Sequence, residues 1–143
     1  MREIDLVVVH CTATNPSWYS DKSCEDVVEE IRRWHVNERK WSDIGYHYCI
    51  HRDGVVAEGR PIRRSGAHTR GANKHSVGVA LVGGRGGCND DEPLDNFTEQ
   101  QMTALRKLID DLKEDYPISK VAGHNEFANK ACPCFSVKEW YDA

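Results

Sequence analysis

Three residues far apart in the chain, His10, His124 and Cys132, carry the donor types of a catalytic metal site. Two neutral imidazoles and a thiolate suit a tetrahedral zinc ion that keeps its fourth position open for water. His10 ends the first apolar run and His124 follows the last, and in sheets covered by helices ligands gather where strands end. Cys132 follows His124 across a loop short enough to fold back. The spacing matches no compact finger pattern, so taken alone it leaves a plainer alternative open. A single histidine is as readily a residue bonded to backbone, and a single cysteine a small buried hydrophobe. The chain holds seven histidines, and His35, His51 and His75 have no partner that the sequence names.

The elements that must position these side chains can be read from periodicity. Ile4 to His10 is rich in Ile, Leu and Val and predicts a buried strand. Thr12 to Lys22 has turn chemistry and predicts a surface loop, closed by Ser23 as a helix cap with Asp26 as an approximate capping-box partner. Val27, Val28, Ile31, Trp34 and His35 then recur at helical spacing. Tyr46 to His51 and Val55 to Glu58, joined through Arg52-Asp53-Gly54, predict a hairpin with Gly54 at positive φ. The polar run from Arg60 to Lys74 has no period and is long for a connection, which suggests that it lines a site. Ser76 to Val82 predicts another buried strand, and Cys88 to Asn96 a loose loop. Thr98 and Gln101 form a capping box for a helix whose stripe is Met102, Leu105, Leu108, Ile109 and Leu112. Tyr116-Pro117 stops that helix, Val121 and Ala122 deliver His124 to a loop, and Ser136 with Glu139 opens a brief terminal helix. The fold class expected is α/β: a single domain over residues 1–143 with a central mixed sheet flanked by helices.

The bulk properties exclude several roles. At 143 residues and 39% hydrophobic, the chain has the size of one ordinary domain with one core. A net charge of -4 argues against a partner held by bulk charge, nucleic acid or anionic lipid. No run of eighteen or more apolar residues occurs, so no membrane span is expected. The first residues are too few and too acidic for a secretory segment, so a chain made in the cytoplasm without an export signal is expected. Six cysteines without that signal read as thiols rather than a disulfide scaffold.

Five ordered motifs sharpen the reading. These are Val9-His10-Cys11-Thr12-Ala13-Thr14, Ile44-Gly45-Tyr46-His47-Tyr48, Ser65-Gly66-Ala67-His68, Ser76-Val77-Gly78-Val79-Ala80-Leu81-Val82-Gly83-Gly84, and Gly123-His124-Asn125-Glu126 continuing to Lys130-Ala131-Cys132-Pro133. Together they resemble the zinc amidases of the bacteriophage lysozyme type, relatives of the animal peptidoglycan recognition proteins, over nearly the whole chain. The resemblance implies a peptidoglycan recognition protein-like fold holding one zinc ion on His10, His124 and Cys132. The activity it implies is hydrolysis of the amide between N-acetylmuramic acid and L-alanine in peptidoglycan, by a phage or prophage-type lysis enzyme. The expected partner is peptidoglycan or muropeptide, met in the periplasm or cell wall, and the expected state is a monomer.

By the same resemblance Tyr46 and Lys130 are catalytic. Zinc lowers the pKa of its water toward about 7 and polarises a carbonyl. An ammonium at Lys130 would stabilise the oxyanion, a contribution of about 3 kcal/mol for one such donor, and the Tyr46 phenol would orient water or help move protons. His68 takes a substrate-binding or supporting role near the zinc. His47, opposite Tyr46 by strand alternation, is expected to be structural, and Cys11 to face away from the metal. Cys134, two residues past Cys132, departs from the family pattern and is a competing thiol. Two other roles stay open: a module that binds muropeptide without cutting it, which is disfavoured because Cys132, Tyr46 and Lys130 are all kept, and an added regulatory role through a protein partner.

Overall fold

The computed structural model describes residues 2–142; Met1 and Ala143, the ends of the expected 1–143 domain, lie outside the described residues. Five strands form one mixed sheet, β1 Leu6–Cys11, β2 Tyr48–Ile50, β3 Val56–Glu58, β4 Ser76–Leu81 and β5 Lys120–Gly123. Their order is β3-β2-β4-β1-β5, parallel throughout except for the antiparallel edge strand β3. The central strands β1 and β4 are buried along their whole length, which is why both read as continuous apolar runs rather than alternating ones.

The first long helix, α1 Cys24–Asn37, starts where Ser23 accepts a hydrogen bond from the Asp26 backbone amide, so half of the expected capping box is realised. It lays Val27, Val28 and Ile31 on Cys49, Ala57 and Ala80 of the sheet and on Val82 just past β4. A four-residue helix, α2 Pro93–Asn96, corrects the expectation of a loose loop there. Glu92 and Asp95 cap one another's backbone around a proline in the first turn, a capping signal that a search for apolar periodicity misses. Next comes α3 Glu99–Asp115, with the full Thr98–Gln101 box and with Met102, Leu105, Ile109 and Leu112 buried on the opposite face of the sheet. Gln101 does a second job: its buried amide nitrogen donates to the Ile50 and Val82 carbonyls, tying α3 to two strand ends. The short α4 Val137–Asp142 closes the chain against β5.

Alternation along β1 decides the layout. Val7, Val9 and Cys11 point into the core under α3, so Leu6, Val8 and His10 point to the other face. That second face is shared between α1 and the long segment from Arg60 to His75, which carries Ala72 onto Leu6, Val8 and Ala122. Strand β2 is shorter than the expected Tyr46 to His51. Tyr46 and His47 stay hydrogen-bonded to the Arg60 amide, the Gly59 amide and the Gly78 carbonyl without forming a regular ladder.

Candidate metal centre and active site

His10 stands at the end of β1, His124 at the first position after β5, and Cys132 on the loop that returns past both. Because β5 pairs directly with β1, the two histidines leave neighbouring strands at the same sheet edge, and their rings lie 4.6 Å apart. One donor atom from each of His10, His124 and Cys132 falls within 4.8 Å of the others, the one such group of three among the described residues. The Cys132 sulphur lies 3.9 Å from Nδ1 of His10. Donors on a tetrahedral zinc at ~2.0–2.3 Å sit about 3.5 Å apart, so the spacing fits a single ion with little movement.

The electrostatics of the three donors suit a cation as well. Burial, then the neighbouring His68, His124 and Lys130, hold His10 well below the usual histidine range, so its ring is neutral. Burial followed by the Lys130 charge lowers His124 in the same direction. Hydrogen bonding from the Cys11 side chain, aided by its backbone amide and by Lys130, lowers the Cys132 thiol, while burial works against it. The amide of Cys11 lies 3.3 Å from that sulphur. Neutral imidazoles and a thiol biased toward thiolate are what a zinc ligand set requires.

The rest of His10 is fixed from behind. Its Nε2 lies 2.9 Å from Nδ1 of His68 and 3.2 Å from the Thr69 hydroxyl, which leaves Nδ1 as the atom facing Cys132. His68 can approach this closely because residue 78 has no side chain: a Cβ there would come within 2.5 Å of the imidazole.

Tyr46 packs its ring 5.2 Å from that of His10. Burial and the thiols of Cys132, Cys49 and Cys11 push its phenol up, so it keeps its proton. Lys130 is exposed and lines a cleft of about 480 Å³ together with His124, His68, Arg70 and Arg39. A second cleft of about 470 Å³ runs along α1 past Trp34, His35 and Arg39 to Thr12 and Tyr46. The two share Arg39; the first is lined by the donor His124 and the second by Tyr46, whose ring packs on His10. The expectation that the Arg60 to Lys74 run lines a site agrees with this placement, since Ala67, His68, Thr69, Arg70 and Asn73 all face the first of the two clefts.

The other sequence candidates separate cleanly. Cys134 is fully buried, with its thiol directed at the Gly84 and Ala131 carbonyls and its side chain in the core, outside the three-donor group. Cys11 is in the same core. His47 accepts from the Gly78 amide on Nδ1 and donates from Nε2 to the Arg64 carbonyl. His35 accepts from the Gly45 amide and packs on Trp41 and Tyr46, so it supports the segment that carries Tyr46. His51 donates to the Tyr19 and Lys22 carbonyls, and His75 pairs with Asp5. Sequence reasoning missed Thr69, Arg39 and Arg70. Adjacency to His68 is the signal that would have found Thr69; the two arginines carry no local pattern that separates them from solvated ones.

Comparison with known proteins points the same way. A profile described as N-acetylmuramoyl-L-alanine amidase matches residues 1–135. The endolysin of Klebsiella phage KP32 is 44% identical over 142 residues, covering 99% of this chain and 87% of the relative. Among solved structures, the N-acetylmuramoyl-L-alanine amidase LysC from Clostridium intestinale superposes with a TM-score of 0.73 at 29% identity, covering 96% of this chain and 83% of that one. Bumblebee PGRP-SA superposes with a TM-score of 0.80 at 28% identity, covering 99% of this chain and 82% of that one.

Proposed function

The chain belongs to the N-acetylmuramoyl-L-alanine amidase family, and from that premise we propose that it uses one zinc ion to hydrolyse the amide joining N-acetylmuramic acid to L-alanine in peptidoglycan. The observation that carries the reading is the convergence of His10, His124 and Cys132, with Tyr46 packed on His10 and Lys130 in the cleft that His124 lines. A zinc ion held there would act as a Lewis acid on the scissile carbonyl and bring the pKa of water toward about 7.

The chain's own groups account for the rest of the reaction. Tyr46, held protonated by its surroundings, is a hydrogen-bond donor at the site and orients the attacking water or passes on its proton. The Lys130 ammonium stabilises the negative charge that develops on the carbonyl oxygen, and its exposed position lets it meet that oxygen only when substrate fills the cleft. The two clefts that meet at Arg39 give room for both arms of the substrate, glycan and peptide. His68 walls one of them against the substrate. No helix among the described residues is long and apolar enough to cross a membrane. Residues 1–143 act as one amidase domain, a monomer in the manner of a phage lysis enzyme that meets its substrate in the cell wall.

Mass spectrometry of purified peptidoglycan after incubation with the protein tests this directly. Free stem peptides beginning at L-alanine are expected, lost when a chelator removes the metal and restored by zinc. Intact wall and intact soluble muropeptides from a folded, zinc-loaded sample would overturn the reading and leave a recognition module.

A further inference from the structure

Zinc binding through Nδ1 of His10 sets a condition on the opposite nitrogen of the same ring. With the Nδ1 lone pair turned to the site, the proton of the neutral imidazole must sit on Nε2, and His10 is only 1% exposed. A buried N–H without an acceptor is costly, and metal-bound histidines ordinarily donate this proton to a carboxylate, a carbonyl or water. Neither a carboxylate nor a carbonyl is among the contacts of Nε2 here. Its partners are Nδ1 of His68 at 2.9 Å and the Thr69 hydroxyl at 3.2 Å, and those two are themselves 2.9 Å apart. The far nitrogen of His68 ends on the hydroxyl of Ser76, 3.2 Å away. All four residues are buried, so their ring nitrogens and hydroxyls are one another's nearest partners.

The 2.9 Å between the two ring nitrogens has room for one proton, so two arrangements use that contact. In one, His68 carries its proton on Nε2 and gives it to Ser76; its bare Nδ1 and the Thr69 oxygen then receive the His10 proton, and Nδ1 of His10 is free. In the other, Ser76 donates to Nε2 of His68, whose proton moves to Nδ1 and points at His10. The His10 proton is then forced onto its own Nδ1, facing the Cys132 sulphur, and the ligand position is blocked. Of these two, only the first admits a metal.

We infer that His68, Thr69 and Ser76 are positioning residues that hold His10 in its metal-ready tautomer, with a neutral imidazole and a hydroxyl where a carboxylate would ordinarily stand. The inference rests on the proposed zinc site. Three further features make the network a built one. Gly78 clears the space beneath the His68 ring. The Asn73 side chain accepts from the backbone amides of both His68 and Thr69, so the loop is held without help from the Thr69 hydroxyl. The Ser76 hydroxyl lies on β4, a central strand, where its place is set by the sheet.

Two measurements on the whole chain test the idea. Long-range proton–nitrogen NMR of the zinc-loaded protein reads ring tautomers directly, and both His10 and His68 are expected to carry their protons on Nε2. Finding the His68 proton on Nδ1 overturns the proposal without any variant. Zinc affinity, measured by competition with a chromogenic chelator, is then compared across variants. His68→Phe combined with Thr69→Val removes both acceptors and is expected to weaken zinc binding by about 10- to 100-fold. Thr69→Val alone has a smaller effect, which Thr69→Ser restores. Wild-type affinity in a folded double variant overturns the proposal. Failure of the underlying zinc reading has a different signature: the wild-type protein itself would bind no stoichiometric zinc, or His10→Ala would bind it as well as wild type.

Discussion

The two faces of the sheet are built from the same strands and do opposite things. Under α3, Val7, Val9, Val77, Val79 and Leu81 meet Met102, Leu105 and Ile109 in a dry apolar layer. On the other face the same β1 and β4 present His10, Ser76 and the bare backbone of Gly78, with His47 and His68 packed against them. One residue of displacement along β1 separates a valine in the core from a ligand in the site. The polar face can afford buried imidazoles because every one of them is hydrogen-bonded, and no buried side-chain nitrogen or oxygen among the described residues lacks a partner. Stability and chemistry are thereby assigned to different sides of one strand, and each side can be perturbed alone.

His124→Ala should break the chemical side completely. Zinc binding and activity are expected to disappear together, with a rate loss of at least ~10³-fold, the several kcal/mol that a metal supplies. Denaturant unfolding of the metal-free forms should barely change, because His124 is partly exposed and outside the apolar core. If the variant kept stoichiometric zinc, the assignment of His124 would be wrong. Leu105→Ala is the mirror experiment. It opens a cavity in the α3 layer where Leu105 has no exposure, and about 2–5 kcal/mol of stability should be lost. Zinc affinity and turnover per folded molecule should stay as they were; a parallel fall in zinc affinity would show that the faces are coupled.

Lys130→Ala sharpens the comparison within the site. A roughly 10²-fold loss in kcat with unchanged zinc content is expected if the ammonium acts only on the developing charge. Full turnover at saturating substrate would remove Lys130 from the mechanism. A separate effect is on acid stability. Burial, then the charges of Arg2 and Arg60, lower His47 to about 4, and burial with Arg39 and Arg60 lowers His35 to about 4. An unfolded histidine titrates near ~6.5, so below that pH the unfolded chain binds protons that the folded one refuses. Their contribution is complete above about pH 6.5 and is lost as the pH falls toward 4, roughly 2 kcal/mol for each histidine by pH 5. Urea midpoints for the metal-free protein at pH 7.5 and pH 5 measure it, and equal midpoints would contradict the burial of these two rings.

Much of the fold was legible because its signals are local. The caps at Ser23 and Thr98, the stripe from Met102 to Leu112 and the turn at Gly54 all follow from neighbours within a few residues. α2 was missed because its helix is carried by a capping pair and a proline rather than by an apolar stripe. Arg39 and Arg70 were missed for another reason: what singles them out is the cleft they face, which no spacing encodes.

By itself the sequence determined which residues are chemically able to act and, through strand alternation, that His10 and Cys11 face opposite ways. Spacing alone left His10, His124 and Cys132 as three plausible donors with nothing to join them, and only the resemblance to a family named them as one ligand set. The tertiary structure decided that they meet. His10 and Cys132 stand 122 positions apart, and they come together because β1 is seated between β4 and β5, so that strands from the two ends of the chain finish at one sheet edge. It also decided which of two nearby thiols faces the site, turning Cys132 toward His10 and Cys134 into the core. Strand order is a property of long-range pairing, whereas alternation and helical period are properties of adjacent residues, and only the second kind of information can be read along a chain.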